Sequence, residues 1–223
     1  MIRQDLIMRG RNERFDVMKG IGITLMIIGH CPLPWYLSNT IFTFHMPLFF
    51  ILSGYLYKGR SLKDIVRRNA KKVLIPYFII GIIVWGFLLA TKGDYKWGYT
   101  LLTSNGSWPI YHQTKCGVGP LWFLMCYFVA MIYFHYLLKI KNEPLRISTL
   151  IALFALAMLY RKHFNLLPFD MLNAIPAVTF MYMGYAIKDH SVSKVFFSKP
   201  AQIAGLAVVL LCIYKGEAVR KLN

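Results

Sequence analysis

The sequence predicts an all-α fold, a polytopic transmembrane helical bundle of about seven spans with a cytoplasmic N-terminus. Three observations predict it. Apolar residues make up 57% of the 223 and charged residues 16%, whereas a soluble domain carries roughly 25% charge. There is too little polar surface to cover a water-exposed fold of this size. The apolar residues also fall in blocks close to the about 20 residues that cross a bilayer. Finally, Lys and Arg collect in alternate connections between those blocks.

The blocks, in order, are Gly20–Leu37, Thr40–Tyr57, Val73–Ala90, Pro120–Leu138, Leu145–Tyr160, Met171–Ile187 and Ala201–Tyr214. The first contains His30 and prolines at 32 and 34, and the last is short. Residues 1–19 are basic and polar without a small-residue cleavage site, so the first block is expected to stay as an anchor. With the N-terminus inside, segments 1–19, 58–72, 139–146 and 188–199 hold 18 of the 26 Lys and Arg residues, and the outer connections hold 8. That bias supports a cytoplasmic N-terminus and an odd number of spans ending outside, and the expected localisation is the cell (inner) membrane, multi-pass. The stretch Lys92–Gly119, rich in Gly, Trp and Tyr, reads as an ordered outer loop. Asn105-Gly-Ser107 within it matches a glycosylation sequon, a common pattern of little weight.

A net charge of +17 in a soluble protein would suggest nucleic acid. Here the cations follow topology, so the expected partner is the lipid bilayer and no nucleic acid is expected. Cys31, Cys116, Cys126 and Cys212 form no CxxC or CxxH pair and read as packing residues, with no metal site.

Ionisable groups inside a span are costly and carry a functional hypothesis by default. Lys19 and His30 are eleven residues apart, close to three turns, and so share a helix face about 16 Å apart. Asp16 lies one turn below Lys19. That stripe suits a long substrate with an anionic head at Lys19 and a reacting group at His30, whose imidazole can act as a general base. The competing reading is that His30 caps a helix end, because Pro32 ends or kinks the helix. His45 stands two residues before Pro47, which frees the Thr43 carbonyl; a structural interhelical hydrogen bond is the plainer reading there. The segment 58–72 packs seven cations with one acid. Topology explains its sign, and phosphate gripping by arginine forks would explain its density.

Together these residues resemble the acyltransferase 3 family of multispanning membrane O-acyltransferases. Arg14-Phe-Asp16-Val-Met-Lys19-Gly20 followed by Gly29-His30 is similar to the family's opening. Phe44-His45-Met-Pro47-Leu-Phe-Phe-Ile-Leu-Ser53-Gly54-Tyr55 is similar to its fucose 4-O-acetylase-like branch. Arg68-Asn-Ala-Lys71-Lys72-Val-Leu-Ile-Pro76-Tyr77 resembles the basic segment before the third span, and Gly119-Pro120-Leu-Trp122 the start of the next.

The resemblance implies transfer of an acetyl (acyl) group from cytoplasmic acyl-CoA to a hydroxyl of a cell-envelope carbohydrate or lipid-linked sugar. Acetyl-CoA would be the donor, with no metal. It implies His30 as the catalytic candidate, with Lys19 as its partner on the acyl-CoA side. Two further residues complete the catalytic candidates: Asp16, to orient Lys19 or balance its charge, and His45, to position the acceptor or polarise the thioester carbonyl. Lys19, Arg67, Arg68, Lys71 and Lys72 become donor-binding candidates, and Ser53 and Trp122 substrate-binding ones. Family domains usually run longer with more spans, so 1–223 is expected to be a single membrane acyltransferase 3-like domain lacking the last spans. The alternatives are a transporter or export helper for a polar or acylated solute, and a non-catalytic truncated acyltransferase. A transporter would more often show inverted repeats and broken helices in both halves, and the sequence has no such symmetry.

Overall fold

The computed structural model describes residues 13–93, 95–104, 118–160 and 168–188. The expected last span Ala201–Tyr214, Cys116, Cys212 and the Asn105 sequon lie outside these residues. The chain divides into two compact units, one of Met1–Leu56 with Met183–Asn223 and one of Tyr57–Tyr182.

The first unit is built on a hairpin of α1 (Glu13–Gly29) and α2 (Trp35–Tyr55). The expected first block, Gly20–Leu37, is therefore split between two helices. Pro32 and Pro34 explain the split: each lacks an amide hydrogen, and each disfavours the helical conformation in the residue before it. Pro34 then serves as the N-cap of α2. The helices run antiparallel, with Phe15 near one end of the hairpin touching Tyr55 (ring centroids 5.0 Å apart).

Two glycines let the hairpin close. A Cβ on Gly22 would meet the Phe49 ring at 3.0 Å, and one on Gly29 would meet Ile41 Cγ2 at 2.9 Å. Small residues at helix crossings are how membrane helices gain contact without a hydrophobic driving force. Ser38 Oγ donates to the Gly29 carbonyl at 3.2 Å and fastens the end of the hairpin next to the turn. Gly184, near the C-terminal end of the last described helix, makes a closer approach still. A Cβ there would overlap the backbone oxygen of Ile51.

The second unit begins with a 31-residue helical run, Leu62–Lys92. It comprises α3 (Leu62–Asn69), a π turn (Ala70–Leu74) and α4 (Ile75–Lys92). Ser61 caps α3, accepting from the Asp64 amide at 3.2 Å while donating to its carboxylate at 2.7 Å. Pro76 accounts for the π turn. Its ring cannot donate to the Lys72 carbonyl and collides with it in a regular helix. The chain responds with one wider turn, in which the Ile75 amide reaches the Ala70 carbonyl. Gly93, at φ +65°, closes α4.

Helix α5 (Lys96–Thr103) turns back along α4. Leu101 lies over Gly81 and Trp85 over Gly98. The stretch read as a loop thus contains a helix laid against α4. Then follow a 3-10 turn (Gly119–Leu121), α6 (Trp122–Lys139), α7 (Glu143–Tyr160), a second 3-10 turn (Pro168–Asp170) and α8 (Ala174–Ala186). Arg146 ties α7 to α8 through two bonds of 3.3 Å to the Tyr182 hydroxyl.

Among the described residues there is no strand. Three helical runs, Tyr36–Tyr55, Leu62–Lys92 and Gly119–Lys139, are long and apolar enough to cross a membrane. Ile79, Ile80, Ile82, Ile83 and Phe87 of α4 and Ile151, Leu153, Leu156 and Leu159 of α7 are exposed. Helices whose outward surface is as apolar as their buried one fit a hydrocarbon solvent.

Candidate active site

The helix α1 brings Asp16 and Lys19 together as an ion pair, Nζ to Oδ1 3.7 Å, with 35% and 43% of the side chains exposed. At that exposure the pair adds little to stability, and its consequence is to set where the ammonium sits. His30 follows the last residue of α1. It is exposed, its amide bonds to the Ile27 carbonyl at 3.1 Å, and its ring Nδ1 lies 2.8 Å from the Met26 oxygen. The helix-end cap expected as one reading of His30 is therefore formed.

That cap has a chemical consequence. A carbonyl oxygen only accepts, so Nδ1 carries the hydrogen, and in the neutral ring Nε2 keeps its lone pair. His45 repeats the arrangement within α2. It is 1% exposed, and its Nδ1 lies 2.8 Å from the Ile41 oxygen. This bond is within its own helix, so the expected interhelical one is not what occupies Nδ1. The two histidines share a neighbour, since the Phe42 ring lies 5.0 Å from that of His30 and 5.4 Å from that of His45. The hairpin thus gathers two imidazoles, each presenting an acceptor nitrogen, on the unit that also carries Lys19.

The remaining candidates fall elsewhere. Ser53 turns its hydroxyl back to the Phe49 carbonyl at 2.7 Å. Arg67, Arg68, Lys71 and Lys72 belong to the second unit, where all four are exposed on α3 and the π turn. The wider turn places Lys71 and Lys72 at the irregular point of that helical run, a common companion of functional positions. Trp122 opens α6 half-buried and packs on a core of Tyr77, Trp97, Leu101, Val118 and Met125. Among the described residues no cluster of His, Cys, Asp and Glu has the makings of a metal site.

Sequence reasoning misses a second buried polar group. Tyr77 is fully buried; its hydroxyl donates to the Leu101 carbonyl and lies 2.9 Å from Ser104 Oγ. Asp170 is 6% exposed and accepts from Asn173 Nδ2 at 2.6 Å, while its Oδ2 has no hydrogen-bond partner. The Cys126 thiol beside it is a weak donor. Burial pushes the Asp170 carboxyl up to about 6, against the opposing pull of the Asn173 and Cys126 bonds. Ser104, Phe169 and Asp170 are the non-glycine residues with positive φ among those described, so the backbone strain of this unit collects around the same group. The sequence signal for it is slight, a single acid at the edge of the block Met171–Ile187.

A family model described as an acyltransferase domain matches residues 12–218. Nodulation protein NolL of Mesorhizobium japonicum is 31% identical over 141 residues, covering 55% of this chain and 36% of that protein. Nodulation protein NolL of Sinorhizobium fredii is 35% identical over 100 residues, covering 37% of this chain and 26% of that protein. The matched segments thus span between about a quarter and about a third of the length of these relatives. No solved structure matches. With the family model running through both helical units, the chain belongs to the acyltransferase 3 family.

Proposed function

We propose that the chain is a multi-pass inner-membrane O-acetyltransferase with its N-terminus in the cytoplasm, and that residues 1–223 belong to a single acyltransferase domain and carry about seven of its spans. It moves an acetyl group from cytoplasmic acetyl-CoA to a hydroxyl of a cell-envelope carbohydrate. Family membership supports acyl transfer, and the apolar helices support a membrane setting. The observation that carries the site is the His30 ring. Its Nδ1–H is committed to Met26, its Nε2 keeps the lone pair, and an ion-paired lysine stands on the helix that ends just before it.

In this reading the acceptor hydroxyl gives its proton to His30 Nε2 as its oxygen attacks the thioester carbonyl. The carbon–sulfur bond breaks, and the leaving thiolate takes the proton back from the imidazolium. His45, with Nδ1 also committed, is likewise an acceptor when neutral. It therefore orients a second hydroxyl of the acceptor rather than donating to the thioester. Lys19, aligned by Asp16, is the donor-phosphate contact of the first unit, and the cations Arg67, Arg68, Lys71 and Lys72 are the phosphate-binding candidates of the second. Ser53 and Trp122 contribute to the acceptor's surroundings.

Labelled acetyl transfer from acetyl-CoA in membranes carrying the chain tests the proposal. His30→Ala should lose at least about a hundredfold in rate, the lower range of general-base catalysis, with membrane insertion unchanged. Undiminished transfer in that variant defeats the assignment. Movement of a solute without covalent change would favour a transporter.

A further inference from the structure

Phe42 is placed to control both imidazoles. It lies three residues before His45 on α2, the spacing that puts two side chains on one helix face. Its ring meets His30 at 89°, edge to face, and His45 at 58°. Phe42 remains 39% exposed, whereas His45 is 1% exposed. Gly29 makes the approach possible, because a Cβ there would meet Ile41 Cγ2 at 2.9 Å and Phe42 Cζ at 3.5 Å. His30 itself stands beyond the last turn of α1, where a solvated imidazole is free to rotate and to carry its hydrogen on either nitrogen. The Met26 bond and the Phe42 ring both act on it.

The geometry points to Phe42 as the positioning residue of the candidate base: its ring holds His30 in the orientation that keeps the hydrogen on Nδ1 and leaves Nε2 open to a substrate hydroxyl. The edge-to-face contact restricts rotation about the ring's side-chain torsions, and that restriction keeps Nδ1 in line with the Met26 oxygen. The same phenyl group abuts His45, so both acceptors are registered to one wall. The catalytic part of this inference rests on the acyl-transfer reading, whereas the tautomer it predicts does not.

Nitrogen-15 spectra of histidine-labelled chain in detergent test it. In the wild type above the imidazole titration range, His30 should show a protonated-type Nδ1 and an unprotonated-type Nε2. Phe42→Ala should give His30 averaged shifts of mixed tautomers, while the buried His45 keeps its Nδ1–H pattern and so reports an intact hairpin. Phe42→Tyr, which retains the ring, should restore the wild-type pattern. A His30 pattern unchanged in Phe42→Ala overturns the inference, as does a wild-type His30 protonated on Nε2.

In the acetyl-transfer assay, Phe42→Ala should lower kcat roughly tenfold or more with little change in the KM for acetyl-CoA, as expected for a displaced base. A raised KM with unchanged kcat contradicts the positioning role. Absence of any transfer by the wild type would sink the functional reading and leave the tautomer result to decide this one.

Discussion

Replacing the Asp170 carboxyl with an amide keeps the shape of a buried side chain while removing a charge that its surroundings disfavour. Asp170 is 6% exposed, one carboxyl oxygen has no partner, and its pKa rises from the ordinary 3.8 to about 6. That rise, at about 1.36 kcal/mol for each tenfold in proton affinity, is worth about 3 kcal/mol. The sign follows from where the proton sits. Below the unfolded value both states hold it, and the group's contribution to stability is complete. Between 3.8 and about 6 the unfolded chain releases its proton while the folded chain retains it. The folded state then binds more protons, so stability falls as pH rises and the contribution is lost above about 6.

In Asp170→Asn the new side-chain carbonyl would still accept from Asn173, and the group would carry no charge at any pH. The variant should therefore match the wild type in acid and exceed it near neutrality by up to about 3 kcal/mol. Denaturant or thermal unfolding in detergent, read by tryptophan fluorescence across that pH window, measures the difference. Parallel pH profiles for the two chains, or a wild type that gains relative stability as pH rises, would refute the burial argument.

Other outcomes follow from single contacts. Gly184→Ala drives a methyl into the Ile51 carbonyl, a backbone collision that should cost about 3 kcal/mol or more and appear as lost protease resistance. Gly20→Ala, with nothing within 4 Å, is the control that should behave as wild type. Tyr77→Phe removes the bonds to Leu101 and Ser104 and should destabilise by about 1–3 kcal/mol, measured by the same unfolding assay. Changing Arg67, Arg68, Lys71 and Lys72 together to Gln should raise the KM for acetyl-CoA, most at low ionic strength, with kcat little altered.

The legibility of this molecule differs between its parts for physical reasons. Apolar blocks of membrane length announce themselves through composition, and Thr40–Tyr57, Val73–Ala90, Pro120–Leu138 and Leu145–Tyr160 correspond to α2, α4, α6 and α7. The prolines at 32 and 34 mark a break within the first block but leave open whether Pro32 kinks the helix or, as here, ends it. Helix α5 is hidden because its eight residues, Lys96–Thr103, are Gly-, Trp- and Tyr-bearing and are held by packing on Gly81 and Trp85 rather than by propensity.

In the candidate site, the Lys19–His30 spacing and the Asp16 pairing follow from helix periodicity and are readable in the chain. The nitrogen that each imidazole commits to backbone depends on side-chain rotation, which no spacing conveys. The Tyr77, Ser104, Cys126 and Asp170 group assembles from four separate segments. Such long-range convergence leaves no local pattern in a single chain.

Chemical rescue of the missing imidazole probes the base most directly. Acetyl transfer by membranes carrying the His30→Ala chain should be restored in part by added imidazole, and the wild type should not respond to it. An alanine variant as active as the wild type before any imidazole is added would contradict the assignment of His30 Nε2 as the proton acceptor.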